Sequence, residues 1–411
     1  MCISNFCTAE VFIMIRDLYP VALPEEAGMR PSLTKDIDAM VEAALARGGV
    51  AHSAIAVISK GKLVYEGYAG YADREAGILL APGHIYRAAS MSKPVTAVCV
   101  MMQVEAGKLA LDDEVCRYLP ELGDMSVAVS EDGKLTGSRK ASRNFTIRDL
   151  LTHSSGLGSG PFFWESCRRP DYNDHDTLET KIADWGTSLL QFDPGSAFSY
   201  SPRVGFEVLG RLVEITSGMD FQTFIHKKLC DPLGMTDTGF TPTEDQWNRL
   251  VRAYATNEEV TLRRETHMDR TIFAGGPETY FSGGGGLFTT LEDYVRFAGM
   301  LQNYGALGDV RILKRETVED MQRPHLPYLL PGTDASHSWG LSMRVVTADN
   351  GSQAPLKKGA FGWSGAYGTH FWCDPVHDLF TVYMSNMTTA GGSGALTARE
   401  IEKAVMDNLD A

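Results

Sequence analysis

The chain has 411 residues, 44% of them hydrophobic, which supports a sizeable core and two or three domains. A formal charge of −14 and a pI near 5.2 argue against nucleic acid or an anionic membrane surface as partner. Seven cysteines at scattered spacing suggest a reducing compartment with no disulfide framework, and no apolar run approaches the roughly 20 residues of a membrane span.

Residues 11–15 are too short for a secretory h-region and follow no basic residue, so a cytoplasmic location is expected. The first twenty residues fit either an extra strand or a loose extension. Ser32 reads as the N-cap of a helix whose charged face carries Lys35, Asp36 and Asp38. Residues 51–68 alternate around Lys60-Gly61-Lys62 and predict a hairpin. Residues 95–102 predict a helix that is apolar nearly all round, and such a helix belongs in a core. The stretch from 90 to 274 reads as mostly helical, with a polar loop over 130–143. Within it, a Pro194-Gly195 turn leads through a short aromatic run into an apolar helix ending near Ser217-Gly218. The last third gives strands at 339–346, 359–364, 369–374 and 379–385. An amphipathic helix follows, with Thr397 and Glu400 as its capping box. Strands at both ends with helices between predict an α/β (α+β) fold. One discontinuous sheet domain, 1–89 and 275–411, wraps a helical domain, 90–274.

Ser90-Met91-Ser92-Lys93 opens the core helix. Residues at i and i+3 share a helix face, so the hydroxyl and the amine can meet, and a neutral amine can take the serine proton. Burial and the positive end of the helix dipole both disfavour the ammonium. Pro94 is tolerated in the first turn. Ser32-Leu33-Thr34-Lys35 has the same spacing but charged surroundings. Tyr200 falls at a loop-to-helix junction, from which a phenol can project into a cleft. Phe361-Gly362-Trp363-Ser364-Gly365-Ala366 ends a strand in a glycine-rich connection that lets a backbone amide approach a ligand.

Serine-x-x-lysine at 90–93, Tyr200-Ser201 and the Trp363-Ser364-Gly365 strand, in that order, resemble the beta-lactamase-like serine hydrolases. Within them the chain looks most like the family VIII carboxylesterases, related to class C beta-lactamases. Residues 146–157, 231–235, 283–287 and 371–375 agree with this, and the resemblance runs from about Leu23 to Leu409. It implies an antiparallel sheet flanked by helices, an all-α domain, and an active site between them. It also implies Ser90 as nucleophile and Tyr200 as general base tuned by Lys93. The Ser90 and Ala366 amides would form the oxyanion hole, with substrate held along Trp363, Ser364 and Gly365. Relatives that recognise penicillin carry asparagine where this chain has Pro202. They also carry lysine or histidine where it has Trp363, and that lysine helps hold a carboxylate. These departures favour neutral esters of small to medium size. An acyltransferase, a D-amino-acid amidase or peptidase, or a weak beta-lactamase are the alternatives.

No Gly-x-Ser-x-Gly elbow occurs, which argues against the alpha/beta-hydrolase solution. His153, in Thr-His-Ser-Ser-Gly, reads as a structural turn contact rather than a base. His175, among Asp171, Asp174 and Asp176, lacks metal-ligand spacing and reads as solvated surface. Gly283–Gly286 reads as a tight turn near the cleft, since no Gly-Lys-Ser/Thr follows. The expected partner is a small ester, with no metal or cofactor.

Overall fold

The computed structural model describes residues 14–257, 261–272, 276–327, 330–349 and 355–410. Eight strands, β1 (His52–Ser59), β2 (Lys62–Asp73), β3 (Ile78–Leu79), β4 (His337–Trp339), β5 (Arg344–Val346), β6 (Phe361–Ser364), β7 (His370–Asp374) and β8 (Leu379–Met384), form one sheet. Their order across it is β4-β5-β6-β7-β8-β1-β2-β3, and every neighbouring pair is antiparallel. The five longest helices are α1 (Leu33–Ala46), α2 (Ser92–Glu105), α3 (Val204–Ser217), α4 (Leu291–Gln302) and α5 (Leu396–Met406).

Side chains alternate across a strand, and a strand covered on both faces has to be apolar throughout. Every residue of β1 is buried. Ala54, Ala56 and Ile58 enter one core, while Ile55 and Val57 enter the other. β8 repeats the division, with Phe380, Val382 and Met384 on one side and Leu379 and Tyr383 on the other. Helix α4 covers the first face, and α1 packs with α5 over the second. Helix α2 is buried from Ser92 to Met101 and packs against α3, as its all-round apolar sequence predicts.

Four expectations need correction. The polar stretch 130–143 is not a loop: residues 126–131 and 134–140 pair as a hairpin. Asp132 and Gly133 both have positive φ at its tip, the conformation a two-residue turn requires. The strand expected over 339–346 is two short strands, β4 and β5, paired Trp339 to Arg344. Thr397 and Glu400 do not cap α5. Ala395 is its N-cap, and the Glu400 carboxylate instead accepts both ends of the Arg47 guanidinium. Ser32 does stand at the N-cap of α1, but its hydroxyl donates to Asn408 Oδ1 rather than capping the helix. Residues 11–13 of the apolar N-terminal stretch, and the 274/275 boundary, lie outside the described residues. Among the described residues no helix is long and apolar enough to cross a membrane, and Cys99, Cys116, Cys167, Cys230 and Cys373 are free thiols.

His52 ties the sheet to the strand that precedes Ser90. Its Nδ1 meets the Tyr71 carbonyl at 3.0 Å, and its Nε2 accepts the Asn386 amide at 3.0 Å. Asn386 Oδ1 in turn accepts the Arg87 amide. The ring is therefore held neutral, and burial pushes its pKa from 6.5 down to about 4. The unfolded chain binds a proton below its ordinary histidine pKa while the folded chain does not, so stability falls as pH drops through this window. The loss is about 1.4 kcal/mol per pH unit, about 3 kcal/mol in all. Urea unfolding of wild type and His52→Gln at about pH 7 and about pH 4.5 measures it. The wild type is expected to lose about 3 kcal/mol more than the variant. Equal losses would mean that His52 charges freely in the folded protein.

Candidate active site

Ser90 lies in a single 3₁₀ turn, Ala89–Met91, that feeds directly into α2. Ala89 has φ +47°, a left-handed conformation that an alanine holds only when its surroundings fix it. They do. The Ala88 amide donates to the Leu287 carbonyl, the Thr369 hydroxyl donates to the Ala88 carbonyl, and the Ser92 hydroxyl donates to the Ala89 carbonyl. Ser90 itself is only partly buried.

Lys93 is fully buried, one helical turn from Ser90. Its Nζ is 3.1 Å from Ser90 Oγ and 2.6 Å from each of the Pro202 and Gly284 carbonyl oxygens. Glycine is forced at the second of these segments by close backbone approach. A Cβ at Gly283 would meet the Phe206 carbonyl oxygen at 2.7 Å, and one at Gly284 would meet Arg203 Cα at 2.8 Å. The run at 283–286 is thus a tight turn beside the lysine, as its sequence suggests.

Tyr200 sits on the loop before α3, and His153 fixes that loop from two directions. The His153 carbonyl accepts the Ser199 amide, and its Nδ1 accepts the Ser201 amide at 3.1 Å. The His153 ring lies 4.5 Å from that of Tyr200 and is entirely buried. Burial, reinforced by the charge of Lys93, holds its pKa well below the usual histidine range. The Tyr200 ring presents its face to Lys93 Nζ at 5.0 Å. Its hydroxyl oxygen accepts the Trp363 indole N–H at 3.2 Å, and is not a hydrogen-bond partner of Lys93.

The expected substrate strand divides by the period of two. Trp363 joins Tyr200, Phe198 and Trp339 in lining a cavity of about 250 Å³. Ser364 points the other way: it is buried, with its hydroxyl 2.7 Å from His370 Nδ1, so the structure does not bring it to the cleft. Gly365 is where the strand meets the Ser90 segment, since a Cβ there would lie 2.4 Å from the Ala88 carbonyl oxygen. Ala366 follows at an exposed turn. Ser90, Lys93, Tyr200, Trp363 and Gly365 therefore converge from three remote segments. Sequence reasoning missed the two carbonyls on Lys93 and the aromatic contribution of Trp339, none of which has a local signature.

The beta-lactamase family profile matches residues 37–406. The chain belongs to the beta-lactamase family. An uncharacterized protein of Mycobacterium tuberculosis is 34% identical over 339 residues, covering 79% of this chain and 82% of that one. Esterase EstB of Burkholderia gladioli is 29% identical over 392 residues, covering 89% and 93%. Among solved structures, EstCE1, described as a hydrolase with promiscuous acyltransferase activity, superposes with a TM-score of 0.77 at 24% identity, covering 91% of this chain and 98% of that one. Within this family setting His175 is exposed, as its sequence predicts, whereas its neighbour Asp176 is not. That carboxylate is buried and paired with Arg169. Among the described residues no group of three or more histidine, cysteine or acidic side chains could hold a metal ion.

Proposed function

We propose that this protein is a serine hydrolase that cleaves small to medium carboxylic esters through an acyl-enzyme on Ser90. The observation that carries this reading is the environment of Lys93. Its Nζ donates to the Pro202 and Gly284 carbonyls at 2.6 Å and to the Ser90 hydroxyl oxygen at 3.1 Å, which fixes a proton-carrying group one hydrogen bond from the nucleophile. Ser90 Oγ attacks the ester carbonyl as its proton passes to the Lys93–Tyr200 pair, and the carbonyl becomes an oxyanion. The Ser90 and Ala366 amides would stabilise that oxyanion, at roughly 3–4 kcal/mol per donor. Collapse expels the alcohol, which takes its proton from the Lys93–Tyr200 pair. Water then attacks the acyl-enzyme by the reverse sequence and releases the acid. An alcohol in place of that water would give acyl transfer by the same steps.

The curated relative EstB carries the name esterase, which agrees with this chemistry. We further infer that 1–89 with 275–411 and 90–274 act as two units, with the nucleophile at their seam. The choice of ester over lactam rests on Trp363 and Pro202, which leave neither the lysine nor the asparagine of penicillin-recognising relatives. The test compares kcat/KM for p-nitrophenyl butyrate and benzylpenicillin in one buffer. The ester is expected to lead by at least about a hundredfold. A penicillin that matches the ester would overturn the assignment of Trp363 and Pro202.

A further inference from the structure

The cavity beside Tyr200 is not purely aromatic. Besides Phe198, Tyr200, Trp339 and Trp363 it is lined by Arg344, from β5, with His337 and Asp334 alongside. A guanidinium carries five N–H donors and cannot shed its charge, so a half-buried one without acceptors is unfavourable. Arg344 is in that position. Its side chain is 23% exposed, and among the described residues it makes no hydrogen bond. Among the described residues its one ion-pair contact is Glu402 at 4.0 Å.

The neighbouring charges do not satisfy it. Glu402 is buried and lies closer to His370, at 3.0 Å. Asp334 is 63% exposed, and its Oδ1 already accepts the Ser336 amide, the Ser336 hydroxyl and the His337 amide. Burial, assisted by the nearby Arg344 charge, pushes the His337 pKa below the usual histidine range, so near neutral pH Arg344 is the cation of this cavity. A planar fork of donors matches a carboxylate in a bidentate geometry.

Building on the ester-hydrolase reading, we propose that Arg344 is a specificity residue for esters that carry a carboxylate remote from the scissile bond. The aromatic rings hold the connecting chain or ring, and the guanidinium holds the anion. The reacting ester group stays uncharged. This differs from the lysine-based carboxylate site of penicillin-recognising relatives, whose position Trp363 occupies here. It also narrows the expectation of neutral esters drawn from that replacement.

Two matched pairs of substrates test the proposal. Mono-p-nitrophenyl glutarate against its methyl ester places the acid on the acyl side. 4-Carboxyphenyl butyrate against its methyl ester places it on the alcohol side. In at least one pair the acid is expected to lead in kcat/KM by about tenfold or more, an advantage that shrinks as salt rises from about 0.05 to about 0.5 M. Arg344→Gln should abolish that ratio, and Arg344→Lys should retain part of it, with thermal melts confirming that each variant is folded. Should either variant fail to fold, the salt dependence of the wild-type ratio decides by itself. Absence of an acid preference in both pairs, or an equal loss for acid and methyl ester in the variants, would overturn the proposal. Turnover of the methyl esters, with fluorophosphonate labelling of Ser90, reports separately on the ester-hydrolase reading.

Discussion

Ser90→Ala is expected to lower kcat for p-nitrophenyl butyrate by at least about 10⁴-fold, in the range seen when a nucleophile is removed from a preorganised site. Wild-type protein treated with a fluorophosphonate should carry the adduct on Ser90 alone. The two serine-x-x-lysine segments separate physically on this point. Ser90 has a buried amine at 3.1 Å and is itself only partly buried. The Ser32 hydroxyl donates to Asn408, and its lysine, Lys35, is exposed on α1 with no contact to it. Ser32 thus lacks a base and any feature that would stabilise an oxyanion. Peptide mapping by mass spectrometry reads the result, and an adduct on Ser32 with Ser90 unlabelled would sink the mechanism.

The second large effect concerns proton transfer. Lys93→Met should reduce kcat by about 10³-fold and Tyr200→Phe by at least about a hundredfold, within the range for general acid–base groups. Lys93 is the larger because its amine is the group within hydrogen-bond reach of Ser90. The methionine also leaves the Pro202 and Gly284 carbonyls without their donor, at about 1–3 kcal/mol each, so this variant should melt earlier as well. Tyr200→Phe removes a single oxygen whose nearest donor is the Trp363 indole, and its fold should persist. Because that oxygen accepts the indole N–H, its own hydrogen is free to serve the leaving alcohol. Near-normal turnover by Tyr200→Phe would take the tyrosine out of the mechanism, and near-normal turnover by Lys93→Met would do the same for the lysine.

Much of this site is legible in the sequence because its key groups are local. Ser90 and Lys93 are one helical turn apart in an apolar helix, and Trp363 ends a strand whose neighbours are plainly apolar. The acceptors on Lys93 are not local, since Pro202 and Gly284 are 109 and 191 residues away. A main-chain carbonyl also leaves no trace in residue identity. Trp363 and Ser364 come together in the motif that the resemblance rests on, but the pleat sends the two side chains to opposite faces. The 126–140 hairpin carries little hydrophobic signal because its second strand, 134–140, is mostly polar and exposed, although the Asp132-Gly133 pair marks its turn. The capping box at Thr397 and Glu400 failed because tertiary pairing with Arg47 overrode a local preference. Hydrophobic periodicity reports burial, and these elements owe their form to other forces.

The double acceptor on Lys93 has a consequence for how activity emerges as the chain folds. Helix α2 can form early from nearby contacts, but the amine is oriented only after the loop at 202 and the turn at 284 have docked upon it. Contacts of such long sequence separation close late, because the entropy of the intervening loops has to be overcome first. The nucleophile should therefore become reactive in the slowest phase of refolding, well after helical structure has returned. A fragment ending before residue 284 would contain the whole serine-lysine-tyrosine set and yet lack one of the two oxygens that aim it.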